Sequence, residues 1–72
     1  MTKEYVINEV ARLRNEFGTS ICTDPEFING LARYTFQPGE VCGYIQEYDL
    51  EEGKERHCGL GPGCFWTEWE QI

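Results

Sequence analysis

Four cysteines and one histidine are the residues of this chain best suited to chemistry: Cys22, Cys42, Cys58, Cys64 and His57. Four thiolates would close a structural zinc site, and a chain of 72 residues would gain from such a staple. The spacing argues against it. The sequence contains no Cys-x-x-Cys pair, the knuckle that marks most zinc modules. Zinc held by Cys42, Cys58, Cys64 and either Cys22 or His57 is therefore the alternative reading. Free thiols are the first expectation, with a Cys58–Cys64 disulfide as a geometric option across a hairpin.

His57 beside Cys58 invites a base–nucleophile dyad. Neighbours on a strand point to opposite faces, so the two cannot exchange a proton. A thiol enzyme or redox protein would need one exposed cysteine of low pKa instead. Gly59-Leu60-Gly61-Pro62-Gly63 has the glycines of a phosphate loop, but not the lysine or the following helix. It reads as a turn. A chain this short leaves little material for a concave pocket, so no enzyme is expected, and no cofactor unless zinc.

The elements that position these residues follow from periodicity. Residues 3–17 place Val6, Val10, Leu13 and Phe17 on one stripe, with Ile7 beside it, which predicts an amphipathic helix. Thr2 can cap it and Gly18 can end it. Residues 18–24 form a connector that contains Cys22. Asp24-Pro25-Glu26 suggests a helical turn ending at Asn29-Gly30. Its rival is an Asn-Gly hairpin joining Glu26–Ile28 to Leu31–Phe36. Leu31–Phe36 and Val41–Tyr48 read as strands, separated by a turn at Gln37-Pro38-Gly39. Asp49–Gly53 is a second turn, and Lys54–Cys58 and Cys64–Glu70 are the arms of a last hairpin. The expectation is one α+β domain over residues 1–72. An N-terminal amphipathic helix packs on one face of a three- or four-stranded antiparallel sheet.

Taking Asp49–Gly53 and Gly59–Gly63 as the loops sets a register. Tyr48 then faces Lys54, Gln46 faces Arg56, Tyr44 faces Cys58, Arg56 faces Trp66 and Lys54 faces Glu68. Alternation gives the helix Val41, Ile45, Phe65, Trp69 and His57, with Glu47, Glu55 and Thr67 toward one end. The opposite face receives Cys42, Tyr44, Gln46, Tyr48, Lys54, Arg56, Cys58, Cys64, Trp66 and Glu68, with Arg56 lying over the Trp66 ring.

Charge narrows the partners. The formal net charge is -7. Residues 37–72 carry eight acids against two bases, whereas residues 1–36 carry five acids against four bases. Such a chain is a poor direct ligand for nucleic acid or an anionic membrane. No apolar run approaches the roughly 20 residues of a membrane span. The N-terminal residues lead straight into the charged helix, so a cytoplasmic protein with reduced cysteines is expected. The function expected is a non-enzymatic interaction module, regulatory or inhibitory, by analogy with small acidic sheet proteins of phage type. Its acidic aromatic face would bind a basic, nucleic-acid-binding protein through Tyr44, Tyr48, Glu51, Glu52, Arg56, Trp66 and Glu68, the carboxylates standing in for phosphates. The chain would be a monomer, or a weak homodimer through an edge strand.

Overall fold

Thr2 starts the first element: its hydroxyl accepts the Tyr5 N–H at 3.3 Å, and Glu4 lies in the positive first turn. In the computed structural model, which describes residues 1–39, 43–63 and 65–72, helix α1 spans Lys3–Phe17. It ends where the Gly18 N–H reaches the Arg14 carbonyl. Five strands follow: β1 (Glu26–Ile28), β2 (Leu31–Phe36), β3 (Tyr44–Asp49), β4 (Lys54–Gly59) and β5 (Glu70–Gln71). They form one antiparallel sheet in sequence order, an up-and-down meander. The α+β class and the helix-on-sheet packing are as expected, but the strands number five. The helix is not long and apolar enough to cross a membrane, nor is any other among the described residues.

The extra strand comes from Asn29-Gly30, which forms the two-residue hairpin and not a helix stop. Both residues take positive φ, 51° and 80°. That is the twist a tight hairpin needs, and Asn and Gly accept it most readily. Pro25 precedes an edge strand, where its missing N–H costs no ladder bond.

Helix α1 lays Val6, Val10 and Leu13 on the sheet, where they join Cys22, Ala32, Tyr34, Phe36 and Tyr48. Phe17 stays half exposed, with its ring 5.3 Å from that of Phe36. The face beneath the helix differs from the one expected. β3 and β4 are joined by a four-residue turn, so Tyr48 faces Glu55, Gln46 faces His57, and Glu47 faces Arg56. One residue of loop length turns β3 over. Tyr44, Gln46 and Tyr48 therefore lie on the helix side, and Ile45 and Glu47 lie on the other.

Two tyrosines complete the core through one hydrogen bond, Tyr34 Oη to Tyr48 Oη at 3.1 Å. Burial raises the Tyr34 phenol strongly and pushes Tyr48 up to about 12. Removing one hydroxyl strands the other in the core. Tyr34→Phe should cost about 1.5 kcal/mol in urea denaturation, while Tyr34→Phe with Tyr48→Phe should recover most of it. Equal losses in the single and double variants would contradict the pairing. Because folding raises both pKa values, stability is complete below pH 10 and falls as the pH rises beyond it.

Candidate functional site

The organising group on the sheet face opposite the helix is Glu47. It is 2 % exposed, which is tolerable because four guanidinium nitrogens lie against its two oxygens. Its Oε2 accepts Nε and Nη2 of Arg33 at 3.2 and 2.7 Å, and its Oε1 accepts Nε of Arg56 at 2.7 Å. Arg56 Nη2 also lies 2.6 Å from Oε1. The register explains the meeting. Glu26, Arg33, Glu47 and Arg56 stand opposite one another across β1, β2, β3 and β4, an alternating row of charge over four strands. Burial alone would raise the Glu47 pKa. Hydrogen bonds from Arg33 and Arg56, with their charges, outweigh it and hold the carboxyl below its ordinary value.

Two indoles cover the Arg56 end of the row. The Arg56 guanidinium carbon lies 4.5 Å from the Trp66 ring centroid and 4.4 Å from that of Trp69. Arg33 reaches the same Trp66 ring at 5.6 Å. A planar, weakly hydrated cation between two aromatic faces suits this sandwich, which shields the ion pairs beneath it. The C-terminal segment is tied in place by backbone and side-chain bonds. Thr67 N–H donates to the His57 carbonyl at 2.9 Å, and the Thr67 hydroxyl accepts the His57 N–H at 3.1 Å. Gln71 Nε2 donates to the carbonyls of Glu52 and Gly53 at 3.3 and 2.9 Å.

The expected contact of Arg56 with Trp66 is present, in a different register. Trp66 bridges Cys58, and Lys54 stands opposite Gln71, not Glu68. Trp69, expected under the helix, lies on Arg56 instead, and Phe65, also assigned to the core, is 84 % exposed. Tyr48 is buried in the helix-side core and Tyr44 packs against it, so neither belongs to an open binding face. Glu51, Glu52 and Glu68 are exposed. The Asp49 carboxylate accepts the Glu51 and Glu52 N–H groups at 3.0 Å each and shapes the turn that presents them.

The reactive residues do not converge. Cys22 is free and buried among the core apolar groups beneath α1, where burial raises its thiol pKa. Cys58 is disulfide-bonded, contrary to the expectation of reduced thiols, and so offers no thiolate to a metal. It belongs to the Glu47 face, whereas His57 points to the other side, its ring 5.6 Å from that of Tyr44. Among the described residues no group of three or more metal-ligating side chains gathers. Val41, Cys42, Cys64 and the proposed Cys58–Cys64 pairing lie outside the described residues.

Arg33, Glu47 and Trp69 were missed as members of one cluster. The signal was a mid-strand glutamate on the strand between two arginine-bearing neighbours, which becomes legible once the turn before β4 is counted as four residues. Fold and cluster together define an α+β protein with a meander sheet, one face under a helix and the other latched by a buried carboxylate. No protein-family model, curated protein or solved structure matches the chain.

Proposed function

We propose that this chain is a non-enzymatic interaction module whose acidic surface engages a basic protein, in a regulatory or inhibitory role toward a nucleic-acid-binding partner. The observation that carries this reading is how the charge is distributed once the ion pairs are drawn. Four of the six bases, Arg12, Arg14, Arg33 and Arg56, are engaged in ion pairs within the chain. Glu26, Glu51, Glu52, Glu68 and Glu70 are exposed and have no ion-pair partner among the described residues. Glu70 even stands directly opposite Glu55 on β4. Like charges opposed across a ladder destabilise it, and a cationic surface would relieve them.

The contact surface is accordingly smaller than a row of aromatic residues on the sheet. It consists of the Glu51–Glu52 turn, Glu68, Glu70 and the edge of Trp66. Capture of a basic partner from the source cell, followed by calorimetry with the purified pair, tests the reading. Affinity should fall at least tenfold between about 0.05 and 0.5 M salt, as screening shortens the reach of exposed charges. It should fall similarly for the double variant Glu51→Lys, Glu52→Lys. Affinity indifferent to both salt and charge reversal would overturn it.

A further inference from the structure

The two indoles cover only part of the Glu47 face. Trp66 reaches as far as Arg33, and beyond it the β1–β2 half of the sheet is open. There a trough of about 230 Å³ is lined by Glu26, Ile28, Leu31, Arg33 and Glu47. Ile28 and Leu31 are cross-strand partners, so their side chains stand together on this face. Ile28 is 61 % exposed and Leu31 36 % exposed. An adjacent pair of aliphatic side chains at the foot of a concave surface is an anchor point for an apolar group.

The charges around it select the occupant. Arg33 gives its Nε and Nη2 to Glu47, and among the described residues no ion pair ties it to Glu26. Glu26 is exposed at one side. At the hairpin tip the Glu51 carboxylate lies against Gly30, with Cδ and Oε1 3.3 Å from the place a Cβ would take. Two carboxylates, Glu26 in the lining and Glu51 at the hairpin tip beside it, therefore flank the aliphatic pair. A second copy of the chain would bring the same carboxylates against these and be repelled. We propose that the trough receives a single aliphatic side chain from a basic segment, with lysine or arginine on either side of it meeting Glu26 and Glu51. This rests on the basic-partner reading and gives it a point of attachment.

The probe is a capped peptide, Lys-Lys-Leu-Lys-Lys, compared with Lys-Lys-Gly-Lys-Lys, each titrated into the ¹⁵N-labelled full chain. The leucine peptide should bind about tenfold more tightly, the worth of one buried aliphatic side chain. Its amide shifts should centre on Ile28–Arg33. Leu31→Ser and Ile28→Ser, both at solvent-exposed positions, should bring the leucine peptide down to the affinity of the glycine peptide. Equal binding of the two peptides would overturn the trough while leaving the acidic-surface reading intact. Shifts centred on Trp66 and Glu68 would do the same. Binding of neither peptide at low salt would remove both readings. Concentration-dependent shifts at Ile28 and Leu31 without peptide would assign the trough to a second copy and overturn the proposal.

Discussion

Glu47→Ala is expected to destabilise the chain by about 3 kcal/mol, the low end of what removing one member of a buried ion pair costs. The low end applies because the two guanidiniums it abandons can turn toward water: the side chains of Arg33 and Arg56 are 53 % and 28 % exposed. A domain of this size has only about 3–5 kcal/mol of stability to lose, so the variant should be substantially unfolded at 25 °C. Glu47→Gln keeps the shape and one acceptor oxygen but not the charge, and should fall between the variant and the parent. Urea denaturation followed by tryptophan fluorescence reads both, since Trp66 and Trp69 rest on Arg56. A Glu47→Ala loss below about 0.5 kcal/mol would mean that the row of charge is ornament on a sheet held by other contacts.

Acid provides an independent route to the same group. Folding lowers the Glu47 pKa from an ordinary value of 4.5. The stability this contributes is complete above that value and is lost as the pH falls through the lower folded pKa. The parent should therefore weaken steeply below about pH 4.5. Glu47→Gln, already weaker at neutral pH, should show a shallower decline across the same range. Parallel pH profiles would place the acid sensitivity in other carboxylates.

Why the cluster was hard to read from the sequence can be put in terms of one residue of loop. Helix α1 was legible because Val6, Val10 and Leu13 repeat at helical spacing and all three are buried. The strand segments were legible because β-branched and aromatic residues concentrate between glycine-containing turns. Side-chain direction along β3 was not, because it depends on whether the turn before Lys54 holds four residues or five, and every side chain of the strand inverts with that choice. Hydropathy pointed the wrong way as well. Tyr44 and Tyr48 look amphipathic enough for a surface, yet one hydroxyl pair lets Tyr48 enter the core with Tyr34. Glu47 looks like a surface residue, yet two arginines permit its burial. Polar groups enter an interior when their partners stand within reach, and those partners come from other strands. Pro25 misled for a related reason: its fixed φ suits a helix start and an edge strand equally well, and Asn29-Gly30 decides between them.

The second large effect lies at the other end of β3, where Gly43 precedes the strand at φ 149°. A Cβ added there would stand 2.5 Å from the Phe36 carbonyl oxygen, 2.8 Å from Leu60 Cδ1 and 3.1 Å from Gln37 Cα. The Leu60 tip can swing away. The Phe36 oxygen cannot, because Phe36 ends β2 in register with Tyr44 and its ring packs on that tyrosine at 5.2 Å. Gly43→Ala must therefore either break the last rung of the β2–β3 ladder or shift the chain that supplies the Gly43 carbonyl to the Leu60 N–H at 3.1 Å. The conformational strain adds to the clash, and a loss of about 3 kcal/mol follows, seen as a fall in Tm of roughly 15 °C. Gly61→Ala is the matched control. It has open space around its Cβ position and no positive φ, so the change should be neutral or stabilise by about 0.5 kcal/mol. If both variants melted together, the close approach of Gly43 to Phe36 would be no constraint on the fold. If only Gly43→Ala falls, the close approach of the Gly43 backbone to the Phe36 carbonyl is what fixes the start of β3 against the end of β2.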